Sequence, residues 1–148
     1  NSKCIAIHDP DKGKDMVLTP TYYVFKMYNV HQDATYLPLD LNCEVMDVRD
    51  NRKVPIVSAT ASKDKDGKIH ISMSNIDADN AQEITINLPD VKAKKAVGEI
   101  LTSANLTDYN SFENPNNIKL APFKEVKINK GVLKIKLPAK SIVTIELQ

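Results

Sequence analysis

Carboxylates are where this chain could hold chemistry, since it carries 19 Asp and Glu against two cysteines and three histidines. Hydrolysis of a glycosidic bond needs two carboxyl groups about 5–10 Å apart, one with a raised pKa. Of the six glutamates, Glu44, Glu83, Glu99, Glu125 and Glu146 lie on or beside short strand-like runs, where solvent exposure is expected. Glu113 sits in the most distinctive stretch, Asn110-Ser111-Phe112-Glu113-Asn114-Pro115. That order reads as a structured loop whose Asn and Glu side chains cap nearby backbone groups. No glutamate is presented at the end of a buried barrel strand, so the sequence assigns no catalytic residue.

Metal chemistry finds no better footing. Asp64-Lys65-Asp66-Gly67 resembles part of a calcium loop, but Ser62 then occupies the first ligand position and Met73 the twelfth, so two required oxygen ligands are missing. A hairpin turn is the expectation. Asp77-Ala78-Asp79-Asn80 is rich in oxygen atoms, as ordinary turns are. His8, His31 and His70 have no companion at zinc spacing; His31 is expected in helix packing and His70 at an outward strand position. No serine stands on a G-x-S-x-G elbow, and Gly13, Gly67, Gly98 and Gly131 stand alone, so no loop cradles phosphate. Neither a cofactor nor a metal site is expected. For Cys4 and Cys43, two separate thiols are the expectation and one disulfide the alternative.

The composition narrows the partners. Lys+Arg 20 against Asp+Glu 19 leaves a net charge of +1, without the basic field that nucleic acid requires. No run reaches the roughly 18–20 apolar residues of a membrane span, and Asn1 to Ala6 hold no signal-peptide core. Aromatic residues make up 5%, with no tryptophan, which is thin for stacking sugars or bases. The 148 residues suit one domain, or one domain and a remnant of another. A first residue of Asn1 rather than methionine leads to the expectation of an excised piece.

The elements that would position any site divide unevenly. Thr19 can cap a helix whose first residue is Pro20, and neither glycine nor proline interrupts Thr21 to Gln32. Val24, Met27, Tyr28 and His31 fall at helical spacing, while Tyr22, Tyr23, Phe25 and Val30 cover much of the remaining circumference. Such a helix is normally buried on more than one side, and this one is expected to be trapped between two bodies. Before it, Asp9 to Lys14 reads as a polar turn and Met16-Val17-Leu18 as the end of a buried strand.

From about Tyr36 the period becomes alternating. Val54 to Ala61 reads as one strand, followed by a turn with Asp66-Gly67. Ile69, Ile71 and Met73 alternate with His70, Ser72 and Ser74, and Ile84, Ile86 and Leu88 repeat the pattern. Ala96 to Thr102 is another strand, in which Gly98 marks a bulge or a close backbone approach. Val126 and Ile128, then Leu133, Ile135 and Leu137, then Val143, Ile145 and Leu147 complete the alternation, with Asn129-Lys130-Gly131 and Pro138 between them. Short strands joined by short turns predict an all-β chain, an antiparallel β-sandwich. The lysines from Lys119 to Lys140 read as a solvated face that discourages edge pairing.

Several of these motifs resemble one family. Met16-Val17-Leu18-Thr19-Pro20-Thr21-Tyr22-Tyr23-Val24-Phe25-Lys26-Met27-Tyr28 with His31-Gln32 resembles the last strand end and last helix of the catalytic barrel in family 51 glycoside hydrolases, the α-L-arabinofuranosidases. The Val54 to Ala61 run, Lys68-Ile69-His70-Ile71-Ser72, Asn75-Ile76-Asp77, the Asn110 to Pro115 loop and Leu137 to Val143 resemble their carboxy-terminal, jelly-roll-like sandwich. The resemblance implies a remnant of the (β/α)8 barrel over residues 1–35 and a sandwich domain over 36–148. It implies a retaining parent enzyme that removes terminal non-reducing α-L-arabinofuranosyl groups from arabinan or arabinoxylan with two barrel glutamates. In that family the acid/base glutamate follows an asparagine, and this chain has no Asn-Glu dipeptide. Carry-over therefore yields no catalytic residue, and the expected role is a non-catalytic domain.

The partners implied are the missing barrel of the same polypeptide, arabinose-containing polysaccharide through the parent enzyme, and a second copy through the apolar helix. The alternative is a stand-alone carbohydrate-binding or protein-interaction sandwich. Beyond the helix it would have only Tyr36, Tyr109, Phe112 and Phe123 for a platform, and core packing is the expectation for Tyr109 and Phe112.

Overall fold

The computed structural model describes residues 5–13, 16–89 and 91–148. The chain opens with an antiparallel hairpin, β1 (Ala6–His8) against β2 (Met16–Leu18). Helix α1 (Pro20–Tyr28) follows and tightens into a 3-10 turn over Asn29–His31. Pro20 opens α1 and Thr19 holds the extended N-cap conformation, as the sequence predicts. The Thr19 hydroxyl, however, donates to the Ile5 carbonyl at 3.0 Å, which ties the helix start to β1.

The strands that follow are β3 (Thr35–Leu37), β4 (Val45–Val48), β5 (Arg52–Pro55), β6 (Val57–Lys63), β7 (Ile69–Asn75) and β8 (Gln82–Asn87). Then come β9 (Ala96–Thr102), β10 (Ala121–Phe123), β11 (Val126–Asn129), β12 (Val132–Leu137) and β13 (Ser141–Leu147). They form a six-stranded sheet ordered β10-β9-β13-β7-β6-β3 and a three-stranded sheet ordered β11-β12-β8, while β4 and β5 make a separate two-stranded ribbon. Every pairing is antiparallel. The run from Val54 to Ala61, predicted as one strand, is split: it leaves β5 at Pro55 and enters the large sheet at Val57.

The predicted alternation builds the core between the sheets. Ile71, Met73, Val143, Ile145 and Leu147 from the large sheet meet Leu133, Ile135 and Leu137 from the small one, all buried. Each such side chain removed from water contributes about 1.5–3 kcal/mol. Turn chemistry fixes the register: Lys130 and Gly131 both take positive φ between β11 and β12, the conformation a tight hairpin needs. Gly98 is the close approach foreseen for it, since a Cβ there would lie 3.1 Å from Phe123 Cβ and Cδ1.

Candidate functional site

The outer face of the six-stranded sheet is where polar chemistry gathers. Outward positions on a half-buried strand are expected to be wet, yet His70 is 5% and Ser72 0% exposed. His70 stands at the outward strand position predicted for it, but that face is covered: the end of α1 and its 3-10 turn lie over it. His31 hangs from that turn with Nδ1 2.6 Å from Ser62 Oγ on β6 and Nε2 2.7 Å from Ser72 Oγ on β7. Ser72 Oγ lies in turn 2.9 Å from Thr144 Oγ1 on β13. One imidazole thus reaches two adjacent strands, and through Ser72 a third. Burial holds its pKa below the ordinary imidazole value, and neighbouring His70 pushes the same way.

Beside it, His70 Nε2 lies 2.8 Å from Asp64 Oδ2. Asp64 Oδ1 accepts from the Asp66 and Lys68 amides, so the carboxylate resembling a calcium ligand closes the β6–β7 turn. Its hydrogen bond to His70 and those backbone donors keep its pKa below the usual carboxylate range. Asp77 likewise accepts from the Asp79 and Asn80 amides. Among the described residues, no group of three or more His, Cys, Asp or Glu side chains is placed to hold a metal ion. Cys43 is a free thiol whose Sγ lies 3.5 Å from the Val57 carbonyl; Cys4 falls outside the described residues.

The rest of α1 is anchored by a second, apolar cluster on the same face. Met27, Leu101 and Ile118 are buried, with Tyr23, Val24, Tyr28, Leu120 and Ile142 packed around them. Tyr22 and Tyr23 meet edge-on with centroids 5.4 Å apart. Phe25, on the other side, is 64% exposed. The sandwich therefore covers one side of α1 only. Among the described residues no helix is long and apolar enough to cross a membrane.

The Asn110–Pro115 loop docks next to this helix. Asn110 is 2% exposed; its Nδ2 donates to the Leu18 and Ile118 carbonyls, both at 2.8 Å, and its Oδ1 accepts from the Ile118 amide at 2.7 Å. This asparagine joins the end of β2 to the loop, the capping role predicted for it. Ser111 Oγ accepts from the Asn114 amide. Upstream, Ser103 and the Asn105 amide donate to Asp108, which lowers its pKa.

The glutamates lie on strands and loops of the surface, Glu83 at the rim of a groove beside β8. Glu44, Glu83, Glu99, Glu113 and Glu125 are exposed, and Glu146 accepts from Lys68 Nζ at 3.2 Å and from Gln148. Tyr109 is 70% exposed, which corrects its predicted place in the core, while Phe112 is half-buried. A groove of about 750 Å³ runs between the sheets past Leu37, Ile86 and Val91, and a second of about 560 Å³ lies beside β8. No aromatic side chain lines either groove, so neither offers a stacking surface for a sugar ring.

Comparison with known proteins places these features. An intracellular exo-α-L-arabinofuranosidase of Bacteroides ovatus is 80% identical over 137 residues, 93% of this chain but 27% of that protein. The family 51 arabinofuranosidase of Xanthomonas axonopodis pv. citri superposes with a TM-score of 0.90 at 35% identity, over 97% of this chain and 28% of that one. A family 51 α-L-arabinofuranosidase from Bifidobacterium longum shares the fold with a TM-score of 0.86 at 18% identity, over 98% of this chain and 28% of that one. The chain thus spans little more than a quarter of the length of these relatives. With the sequence profile of the α-L-arabinofuranosidase C-terminal domain matching residues 3–141, the chain belongs to that family.

Proposed function

We propose that this chain is the non-catalytic sandwich of a larger family 51 α-L-arabinofuranosidase, and that residues 1–35 adjoin the catalytic barrel while 36–148 form the domain body. The observation that carries this reading is the 80% identity over 93% of the chain but 27% of the relative. The parent enzyme would release terminal α-L-arabinofuranosyl groups from arabinan or arabinoxylan. The exposed side of α1, centred on Phe25, would lie against the barrel, since apolar surface of this kind is costly to leave in water. Incubating the chain with an aryl α-L-arabinofuranoside should give no turnover above buffer. Hydrolysis that is lost in Glu113→Ala would overturn the proposal.

Without the barrel, α1 should drive self-association. Light scattering is expected to report species larger than a monomer, dispersed by Phe25→Ser; a clean monomer with α1 strongly protected from exchange would count against it. Exposed Tyr109 favours a second reading, a carbohydrate-binding module. Affinity electrophoresis in arabinan gels tests it: retardation abolished by Tyr109→Ala would support binding, while unretarded migration is expected here.

A further inference from the structure

His31 occupies an unusual position for a residue outside any catalytic site. It lies in the short link between α1 and β3, and both ring nitrogens contact hydroxyls, Ser62 Oγ and Ser72 Oγ, whose residues are 3% and 0% exposed. A neutral imidazole donates from one nitrogen and accepts at the other, while the protonated ring donates from both. Hydroxyls can serve either form, so protonation leaves the hydrogen bonds intact. What changes is charge.

Among the described residues, none beside His31 is free to balance that charge. The titratable groups that face His31 are Tyr28 on α1 and His70 on β7, with Asp64 and Glu146 on the far side of His70. Asp64 is already engaged by His70, and Glu146 by Lys68 and Gln148. Among the described residues, no carboxylate lies within hydrogen-bonding distance of either His31 nitrogen. The Tyr28 ring stands 5.8 Å away. A cation at His31 would be partly dehydrated, unpaired and close to a second histidine, a combination that weakens whatever holds it.

The Met27 cluster holds the body of α1, but the stretch from His31 to β3 has little else. Strand β3 is the edge of its sheet and pairs with β6 over Thr35, Tyr36 and Leu37 only; Tyr36 is 67% exposed. By contrast β7 and β13 are central, with seven paired residues between them.

We propose that His31 is an acid-labile bolt, which in its neutral form fastens the end of α1 and edge strand β3 to the outer face of the sheet and on protonation releases that segment while the sandwich stays folded. The device resides in this chain and does not depend on which partner covers α1.

Hydrogen exchange on the chain at pH 7.5 and pH 5.0, corrected for intrinsic rates, tests it. Protection over residues 28–37 should fall at the lower pH while β7 and β13 keep theirs. His31→Gln keeps a donor and an acceptor but cannot take a proton, and should remove the difference. If that variant fails to fold, His70→Gln in the otherwise intact chain serves instead. By removing the neighbouring histidine that pushes the His31 pKa down, it should move the midpoint of release to higher pH. Equal protection at both pH values, simultaneous loss in β7 and β13, a full response in His31→Gln, or an unmoved midpoint in His70→Gln would each overturn the proposal.

Discussion

The two faces of the six-stranded sheet are buried by different physics. On the inner face, Ile71, Met73, Val143 and Ile145 meet the small sheet through contacts that need volume but no direction. On the outer face, Ser62, Ser72 and Thr144 are joined with His31 through hydrogen bonds that need both distance and angle. The apolar cluster around Met27 closes only part of that face. Periodicity treats the two faces as inside and outside. The structure makes both of them inside, one by packing and the other by pairing.

Cutting into the inner face should have the largest effect. Leu133 is 0% exposed, lies on β12, the middle strand of the small sheet, and opposes Ile86 and Ile128 in register. Leu133→Ala is expected to destabilise the chain by about 2–5 kcal/mol, the range for truncating a buried leucine. Urea unfolding followed by circular dichroism would measure it. A loss below about 1 kcal/mol, within the range of a surface change, would mean that the small sheet contributes far less to the core than its burial indicates.

Next in size is the asparagine that joins the loop to β2. Asn110→Ala removes three hydrogen bonds and leaves the Leu18 carbonyl and the Ile118 amide and carbonyl to find new partners. A cost of about 2–3 kcal/mol is expected, because unsatisfied buried groups cost more than a hydrogen bond contributes. Asn110→Asp should be no milder, since a carboxylate cannot donate to two carbonyls. Proteolysis of the 103–117 loop should accelerate in both variants.

On the outer face the expected single-site cost is smaller. Ser72→Ala deprives His31 Nε2 and Thr144 Oγ1 of one shared partner, a loss of about 1 kcal/mol. A double-mutant cycle with His31→Gln separates the network from simple packing. Coupling near zero would reduce the outer face to shape-filling and remove the contrast with the inner one.

How much of this was legible follows from what a period can encode. Alternation located β7, β8, β12 and β13 and chose their apolar faces, because Ile, Leu and Val at every second position leave no other reading. It could not say what covers the second face. His70 and Ser72 looked outward because Ser and His are common on wet surfaces, and only α1, distant in sequence, encloses them. Strands β1, β3 and β10 have three residues each, too few to display any period. The break at Ile56 was hidden in an apolar run, where a chain changing sheets leaves the same composition as one that continues. Asn110 was readable because asparagine in a turn-rich loop has a local role. The His31 contacts span 31 and 41 residues, and no local signal marks them.

Acid should act in two steps, with the smaller effect coming first. His31 has a folded pKa below its ordinary 6.5, so above that value both folded and unfolded chains are neutral there and stability is unaffected. Below 6.5 the unfolded chain takes up the proton first, and stability declines until the depressed folded value is passed. This step should be shallow, because the ring is only half-buried and screened. Asp64, Asp77 and Asp108 titrate in the folded state below their usual 3.8, and Glu146 below 4.5, each because it accepts hydrogen bonds. Their contribution is present above those values and is lost as pH falls through the lowered ones. Unfolding free energy measured from pH 8 to pH 2 should therefore show a shallow decline beginning near 6.5 and a steeper one below about 4. His31→Gln should flatten the first and leave the second. A single transition confined to the carboxylate range, identical in that variant, would mean that the hydroxyls around His31 accept its charge at no cost, and that the outer face is as indifferent to protonation as the apolar core beneath it.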